Sequence, residues 1–311
     1  MIDRDQKPLL VVAGPTASGK SSLALAAADH SDGVVINADS MQVYDELRII
    51  TARPSAVDEA KAPHKLYGVL PAAEGCSAGR WREMAVTAIE AAWVEEKLPI
   101  LVGGTGLYIK ALLEGLSDIP DVPPAIRDEV IALHDELGPE AFHAKVADVD
   151  PEAAARLPRG DRQRLIRAYE VYLATGISLT QWHDTAPVIP GLAADTYTIL
   201  LDPPRDELYA RCNARLEQML DEGALDEVHR LMALSLDRSL PAMKALGVPE
   251  FIAHLRGERG LYEALSAAQQ STRNFAKRQN TWFRNQFEKP DAVFAQHSER
   301  NLEKIFANIR F

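Results

Sequence analysis

The segment Gly14–Ser21 constrains the fold of this chain more than any other, because it fits the phosphate-loop pattern GxxxxGK[ST]. The apolar run Leu9–Ala13 precedes it and a helical pattern follows from Ser21 to Asp29, which is the strand–loop–helix context that the motif requires. Backbone N–H groups, the helix N-terminus and the lysine of such a loop bind phosphate, and its hydroxyl can hold Mg²⁺. The motif therefore predicts a di- or triphosphate site, with Ser21 as the Mg²⁺ ligand. The residues of this predicted site are Gly14, Pro15, Thr16, Ala17, Ser18, Gly19, Lys20 and Ser21.

Strand-like apolar runs alternate with helical patterns along most of the chain. The runs with strand character are Leu9–Ala13, Val34–Ala38, Leu98–Val102, Thr196–Leu201 and the weaker Asp291–Ala295. Helical patterns include Gly79–Glu96, Arg205–Asp221 and Leu261–Phe287. This alternation predicts an α/β fold in which a parallel sheet is covered by helices on both faces.

The region between Asp118 and Pro190 interrupts this alternation, since it contains no strand-like run. Prolines cluster at its two ends, namely Pro120, Pro123, Pro124, Pro187 and Pro190. Short helical patterns lie between them, which is typical of a helical insertion in an α/β core. We therefore expect a core formed by residues 1–118 and 191–311 and an all-helical insertion formed by residues 119–190.

Composition excludes several classes of protein. The two cysteines, Cys76 and Cys212, are too few for a disulfide framework or a cysteine zinc site. Four of the first seven residues are charged and form no apolar signal region, and no apolar run approaches the length of a membrane span. We expect a soluble cytoplasmic monomer with no membrane partner. The net charge of −11 argues against a nucleic-acid partner unless basic residues are concentrated locally.

Two further strand ends carry side chains suited to catalysis or ligand binding. Their position matters because ligands of open α/β sheets bind at the carboxyl ends of strands. One is Asp39–Tyr44, where Asp39 can ligate Mg²⁺, act as a general base, or simply cap the following segment. The other is Gly103–Tyr108, where Thr105 can place a hydroxyl beside the site or cap a tight turn. The strand before Gly103 lacks the terminal Asp of a Walker B strand, which favours a small-molecule kinase or another transferase over a motor ATPase or GTPase.

Two segments have the charge pattern of an RNA contact or of a solvated helix face. The first contains Arg156, Arg159, Arg162, Arg164 and Arg167, with only Asp161 as a nearby acid. The second interleaves Arg273, Lys277, Arg278 and Arg284 with Phe275, Trp282 and Phe283. Cations along a backbone track give affinity for nucleic acid, and aromatic rings can stack on bases. Separately, Arg211 and Arg215 lie four residues apart, where they can bind a phosphate or pair with Glu207 and Asp221.

Together these motifs resemble the tRNA dimethylallyltransferase family, also called tRNA isopentenyltransferases. The resemblance runs in order over nearly the whole chain and rests on residues 14–21, 39–44, 102–108, 161–168, 175–176 and 272–284. It implies transfer of a dimethylallyl group from dimethylallyl diphosphate to the exocyclic amine of the adenosine just 3′ of the tRNA anticodon. It also implies a P-loop kinase-like core with a helical insertion that grips the anticodon stem-loop.

The resemblance assigns roles to individual residues. Asp39 matches the general base, Thr105 matches a threonine beside the target base, and Arg211 or Arg215 matches a diphosphate-binding arginine. Positions that match tRNA contacts are Asp39, Ser40, Met41, Gln42, Gln163, Arg164, Leu165, Ile166, Arg167 and, in the insertion, Arg127. We add Thr105, Arg273, Lys277 and Arg278 to the expected tRNA surface, and Mg²⁺ as the cofactor.

Two departures from the family pattern and three rival functions stay open at this point. Many members carry Ile-Gly-Tyr-Lys-Glu where this chain has Leu246–Glu250, and Gly-Thr-Ala-Lys-Pro where it has Ile50–Pro54. One rival is an enzyme that prenylates free adenine nucleotides, which would need neither the insertion nor the basic C-terminal helix. The others are a small-molecule kinase that uses ATP and a non-catalytic RNA-binding protein.

Overall fold

A computed structural model describes residues 7–287, 289–296 and 299–306 of the chain. The strands in this part are β1 (Pro8–Ala13), β2 (Val34–Asn37), β3 (His64–Lys65), β4 (Pro99–Gly103), β5 (Gly115–Ser117), β6 (Val188–Pro190), β7 (Asp195–Leu201) and β8 (Ala292–Phe294). The helices are α1 (Lys20–Ser31), α2 (Ala56–Lys61), α3 (Ala78–Val94), α4 (Gly106–Leu113), α5 (Pro124–Val149), α6 (Pro151–Arg156), α7 (Arg162–Thr175), α8 (Leu179–Thr185), α9 (Arg205–Asp221), α10 (Ala224–Ala233), α11 (Val248–Leu255), α12 (Leu261–Gln286) and α13 (Glu299–Phe306).

The chain divides into two units, one made of the residues up to Glu114 and from Leu192 onward and the other of Gly115–Gly191. The first unit is built on a six-stranded sheet of order β3-β2-β4-β1-β7-β8. Every neighbouring pair in this sheet is parallel. The predicted parallel α/β sheet is therefore confirmed, with the two-residue strand β3 added at one edge.

The central strands of this sheet are apolar at successive positions because helices cover both faces. Along β1, Leu9 and Val11 pack with one cluster of buried side chains, and Leu10 and Val12 pack with another. The first cluster includes Trp81 of α3, which is fully buried. The sheet is thus fixed from both sides, and the loops at its strand ends rest on a rigid base.

The second unit has its own apolar core, formed by α5, α6 and α7 around Phe142, Val146 and Leu165. It also contains an antiparallel strand pair, β5 with β6, that the prediction of an all-helical insertion omitted. Three-residue strands are too short to show the period-two alternation by which sequence patterns reveal a strand. In the described residues, no helix of either unit combines the length and apolar character needed to cross a bilayer.

Candidate active site

The sheet order places three strand ends side by side, because β2, β4 and β1 are neighbours and run parallel. The loops that follow them are joined by hydrogen bonds: the Ser40 N–H donates to Thr105 Oγ1 at 2.9 Å, and the Thr105 N–H donates to the Ala38 carbonyl at 3.2 Å. The structure thus brings together the loops that sequence motifs had marked separately. They lie at the edge of the sheet that is formed by the carboxyl ends of its strands. This edge is the candidate active site.

The loop Gly14–Ser21 has the backbone shape of a phosphate loop. Gly19 adopts a φ of 93°, and a Cβ on Gly14 would lie 2.6 Å from the Leu201 carbonyl oxygen, so both positions require glycine. Lys20 folds back and donates from Nζ to the Pro15 carbonyl at 2.6 Å. Burial lowers the pKa of Lys20 to about 8, with Arg215 adding to the effect and Asp39 opposing it. An incoming anion would stabilise the charged form of this half-buried lysine.

Asp39 is held by its neighbours at the end of β2. Its N–H donates to Asn37 Oδ1 at 2.8 Å, and its Oδ1 accepts the N–H of Met41 at 2.9 Å. Within the described residues, its Oδ2 accepts no hydrogen bond and is available to a ligand. The capping and chemical alternatives for Asp39 are therefore compatible, since they use different oxygens of the same carboxylate.

Thr105 occupies the N-cap of α4, yet its side chain makes no capping hydrogen bond to that helix. The hydroxyl instead accepts from the Ser40 N–H and lies 3.3 Å from Ser40 Oγ. The capping role considered for Thr105 is therefore not the one that its side chain takes. The threonine links the loop after β4 to the loop after β2.

Helix α12 fastens the loops of this edge from the C-terminal part of the chain. The Gln279 side chain donates to the Gly104 carbonyl and accepts the Thr16 N–H, both at 2.8 Å. The ring of Trp282 lies where a side chain at residue 106 would stand. The glycines that flank Thr105 thus serve close packing against α12.

Two cavities open at this edge of the sheet. One has a volume of about 480 Å³ and is lined by phosphate-loop residues together with Arg53, His64, Tyr67, Arg211 and Arg215. The other, about 240 Å³, is lined by Asp39 and by apolar side chains that include Met41, Leu216, Met219 and Phe275. Ala17 and Arg215 border both cavities. The edge therefore offers a polar, cationic chamber next to a more apolar one, whose charged residues are Asp39, Arg215, Lys244 and Arg278.

The two arginines of α9 differ in their surroundings. Arg211 pairs with Glu207 at 3.1 Å, which is one of the two alternatives that the sequence left open. Arg215 makes no ion pair or hydrogen bond with any described residue, and burial lowers its pKa. Arg215 is thus the better candidate for an incoming phosphate, because its charge is not already neutralised.

Some basic residues of α12 already have partners within the protein. Arg273 donates to Asn213 Oδ1 at 2.5 Å and to Gln270 Oε1 at 2.7 Å, and Arg278 lies over the ring of Phe275. Lys277 and Arg278 are exposed to solvent. Phe283 is buried, so its ring cannot stack on a base, whereas Trp282 packs against Gly106 and is half-buried.

In the second unit, the candidate RNA-contact residues of α7 fall into two groups. Gln163 and Arg164 are exposed, and Arg164 pairs loosely with Asp161 at 3.5 Å. Leu165 and Ile166 lie in the core of the unit, because the period of the helix turns them inward. The expectation that these two side chains contact RNA is therefore corrected: the burial of Leu165 and Ile166 leaves them no path to a ligand.

Two more cations of that unit surround a buried carboxylate. Glu170 is fully buried and pairs with Arg167 at 2.9 Å and with Arg127 at 3.5 Å. Both arginines keep exposed surface, with side-chain exposures of 40% and 56%. Glu170 therefore fixes the position of two guanidinium groups that still face solvent.

Among the residues that the structure describes, no three His, Cys, Asp or Glu side chains cluster as metal ligands. Ser21 opens into the 480 Å³ cavity at the start of α1. Mg²⁺ in phosphate sites is commonly held by few protein oxygens, with phosphate and water as the other ligands. The donor set at Ser21 fits that mode of binding.

A family model described as IPP transferase matches residues 42–286 of the chain. The chain belongs to the IPP transferase family. The resemblance inferred from the sequence motifs is thereby confirmed.

Several relatives of this IPP transferase are similar over nearly their whole length. A tRNA dimethylallyltransferase of Rhodospirillum centenum is 55% identical over 90% of this chain and 89% of its own. One of Granulibacter bethesdensis is 52% identical over 98% of both chains. The match therefore includes both units.

Solved structures of the family also align with the chain. The tRNA isopentenylpyrophosphate transferase of Bacillus halodurans is 32% identical, with a TM-score of 0.68 over 97% of this chain and 95% of its own. A eukaryotic dimethylallyltransferase acting on tRNA is 27% identical, with a TM-score of 0.75 over 89% of this chain and 70% of its own.

Sequence reasoning missed several residues that shape the site of this IPP transferase. Asn37, Tyr67 and Glu227 were not among the candidates, and Gln279 appeared only within a motif. The position of Asn37 two residues before Asp39, at the end of a buried strand, was a usable signal. No local pattern marks the other three, because only the tertiary fold brings them to the site.

The two departures from the family pattern border the cavities. Leu246 lines the apolar cavity, and Arg53 lines the cationic one. Arg53 donates to the carbonyls of Tyr44 and Asp45, at 3.3 and 3.1 Å, and its side chain is only 9% exposed. The cation at residue 53 thus has a structural task in the cavity wall.

Proposed function

We propose that this protein transfers a dimethylallyl group from dimethylallyl diphosphate to the exocyclic amine of the adenosine 3′-adjacent to the anticodon of tRNAs, releasing diphosphate. The observation that carries the proposal is the pair of adjoining cavities, one cationic around the phosphate loop and one apolar around Asp39, with Arg215 bordering both. Relatives named tRNA dimethylallyltransferase support it over both units. As a tRNA-modifying enzyme it would act in the cytoplasm.

The reaction that we propose exchanges one bond for another at the first carbon of the dimethylallyl group. The carbon–oxygen bond to the diphosphate breaks, and its electron pair leaves with the diphosphate. The lone pair of the adenine amine forms the new carbon–nitrogen bond, and the amine then loses a proton. The free oxygen of Asp39 is the proposed acceptor of that proton. Thr105 is proposed to hold the loop that carries this base beside the adenine.

The cationic cavity is the proposed site of the diphosphate. The loop N–H groups, Lys20 and Arg215 would bind the negative charge that grows as the carbon–oxygen bond breaks. Ser21 is the proposed protein ligand of a Mg²⁺ ion, whose chemistry would be to neutralise part of the diphosphate charge. The apolar cavity would then receive the dimethylallyl chain and the target adenine next to Asp39.

The second unit is proposed to bind the anticodon stem-loop. Its exposed cations and polar groups, including Arg127, Gln163, Arg164 and Arg167, suit contacts to phosphates. On α12, Arg273, Lys277 and Arg278 remain candidates for the same partner, as do Ser40, Met41 and Gln42 beside the base. Lifting an adenine out of a stacked loop costs a few kcal/mol, which such contacts would offset.

The test is a transfer assay with purified protein, Mg²⁺, labelled dimethylallyl diphosphate and a tRNA that has adenosine at the target position. We expect label on this tRNA and none on a matched transcript with guanosine there. Greater transfer to AMP than to tRNA would establish the free-nucleotide rival instead. Phosphoryl transfer from labelled ATP, without prenyl transfer, would establish the kinase.

We also propose that the protein acts as a monomer, because one chain supplies every residue that we propose for the reaction, including Lys20, Asp39 and Arg215. Light scattering should then give a mass near 34.2 kDa at the concentration of the assay. A dimer that persists at that concentration would contradict this part of the proposal.

A further inference from the structure

The cationic cavity contains one aromatic hydroxyl, that of Tyr67, to which neither the motifs nor the comparisons assign a role. Tyr67 follows β3, the outermost strand on one side of the sheet. Within the described residues its hydroxyl makes no hydrogen bond, although the side chain lines the cavity that contains Lys20, Ser21 and Arg215. An unpartnered donor in such a chamber points to a ligand that accepts hydrogen bonds.

The backbone around Tyr67 is held in an uncommon shape. Leu66 adopts a φ of 65°, in the left-handed region that non-glycine residues rarely enter. The Asn37 amide donates to the Leu66 carbonyl and to the Asp39 carbonyl, both at 3.0 Å. The same buried amide therefore sets the backbone before Tyr67 and the backbone of the proposed base. Strained residues of this kind persist where surrounding contacts enforce them, often at functional sites.

The ring of Tyr67 is also fixed. It meets the ring of His64 edge to face, with centroids 5.5 Å apart. His64 is in turn anchored by a 2.8 Å contact between its Nδ1 and the Ala62 carbonyl. With both the backbone and the ring constrained, the hydroxyl has few positions available to it.

The hydroxyl keeps its proton under physiological conditions. Burial, together with the negative charge of Asp39, raises the pKa of Tyr67 well above its usual range. A phenol that stays protonated serves as a hydrogen-bond donor and cannot serve as a base. Its suitable partner is an anion.

We propose that the Tyr67 hydroxyl donates a hydrogen bond to the diphosphate group in the cationic cavity, and that it stabilises the leaving diphosphate. This inference rests on the proposed function, because it assumes that the cavity binds a diphosphate. The bond should strengthen as charge accumulates on the departing oxygen. Tyr67 would then affect both diphosphate binding and the chemical step.

The test compares Tyr67→Phe with Tyr44→Phe. Both changes remove only a phenolic oxygen, and Tyr44 is a buried tyrosine that lines neither cavity. Inorganic diphosphate binding is measured by calorimetry with Mg²⁺, followed by kcat and KM for dimethylallyl diphosphate. We expect Tyr67→Phe to weaken diphosphate binding roughly tenfold or more and to lower kcat, the effect of a lost hydrogen bond to a charged group. Affinity for tRNA should be unchanged.

The outcomes separate this inference from the proposed function. If the wild type transfers the prenyl group and Tyr67→Phe matches Tyr44→Phe, the role of Tyr67 is wrong and the function stands. If diphosphate binding depends on Tyr67 but no prenyl transfer occurs, the contact between Tyr67 and diphosphate stands, whereas the proposed function and the role of Tyr67 toward a leaving group fail. A wild type that binds no diphosphate overturns both.

A second measurement covers the case in which Tyr67→Phe does not fold. 3-Fluorotyrosine placed at residue 67 keeps the hydroxyl, and its ¹⁹F resonance should shift when diphosphate and Mg²⁺ are added. The same label at residue 44 serves as the control. An unchanged resonance at residue 67, under conditions where diphosphate binds, would overturn the inference.

Discussion

At the scale of single residues, the site contains a carboxylate and a guanidinium group that keep atoms free to bind a ligand. Asp39 gives one oxygen to the Met41 N–H and keeps the other free. Arg215 is half-buried and makes no ion pair with a described residue. Groups in this condition bind a ligand at little reorganisation cost, because no internal contact has to break.

Asp39→Asn separates the two tasks of this side chain. The amide oxygen can still accept the Met41 N–H, whereas the amide cannot take a proton from the adenine amine. We expect transfer to fall by about 100-fold or more, the usual contribution of a general base, with tRNA affinity retained. Single-turnover assays and a tRNA binding titration measure the two quantities. Near-normal turnover in Asp39→Asn would remove Asp39 from the role of base.

Lys20 makes the stability of the free protein depend on pH. In the folded state its pKa is about 8, against 10.5 as the ordinary value, chiefly because it is buried. Between these values the unfolded chain binds a proton that the folded chain does not, so the free energy of unfolding rises with pH.

Lys20→Met removes this dependence. The unfolding free energy of the wild type minus that of the variant should therefore increase from pH 8 to pH 10, as measured by urea denaturation without ligand. Bound diphosphate should flatten the difference, because an anion favours the protonated lysine. A difference that stays constant across this range without ligand would show that the folded lysine titrates normally.

At the scale of elements, the segment 48–54 is the wall on which both cavities depend. The carboxylate of Glu227 on α10 accepts the N–H groups of Arg48, Ile49 and Ile50, at 2.9, 2.8 and 2.9 Å. Glu227 is only 3% exposed. Ile50 then lines the apolar cavity, whereas Arg53 lines the cationic one. A single buried side chain therefore sets the backbone of a shared wall.

Glu227→Gln should loosen this wall, because an amide nitrogen cannot accept a backbone N–H and leaves at least one of them unpaired. We expect a loss of about 1–3 kcal/mol in the free energy of unfolding, with a higher KM for dimethylallyl diphosphate. Urea denaturation and steady-state kinetics measure these effects. Asp226→Asn, an exposed change on the same helix turn, is the control. Equal stability of the two variants would contradict the role given to Glu227.

Elements differ in how far sequence predicts them, for reasons visible in particular residues. The strands β1, β2 and β4 were predictable because burial on both faces produces continuous apolar runs, and β7 because its residues are mostly β-branched, aromatic or aliphatic. The weak run at β8 was also found, whereas β3, β5 and β6 were not, because each of these short strands includes polar, glycine or proline residues. The phosphate loop, Asp39 and Thr105 were found because chemistry fixes their residue types at strand ends. Tyr67 and Glu227 were not, because only the tertiary fold brings them to the site.

At the scale of the whole molecule, an acidic net charge coexists with a locally basic segment. The net charge is −11, yet residues 156–167 contain five arginines and one acidic residue. Three of these arginines, Arg162, Arg164 and Arg167, pair with acidic groups. Arg156 and Arg159 are exposed and form no ion pair with a described residue. A polyanion would meet a local cationic surface on an acidic protein.

The salt dependence of tRNA binding tests this distribution. Each phosphate contact that is lost should reduce the slope of log affinity against log salt by about 1. Arg164→Ala should therefore weaken tRNA binding and flatten that slope. Arg230→Ala, an exposed arginine at the end of α10 and outside both basic segments, should change neither. Equal slopes for the two variants would show that Arg164 contacts no phosphate.

The hydrogen bond between Thr16 and Gln279 joins residues 263 positions apart in the chain. A ribosome synthesises the phosphate loop among the first residues and helix α12, which holds that loop in place, near the end. The nascent chain therefore carries the motif without the finished site for most of its synthesis. The same late helix supplies Thr272, Phe275 and Arg278 to the apolar cavity. Nucleotides and diphosphates in the cell therefore meet a complete phosphate loop only on chains in which the apolar cavity has also formed.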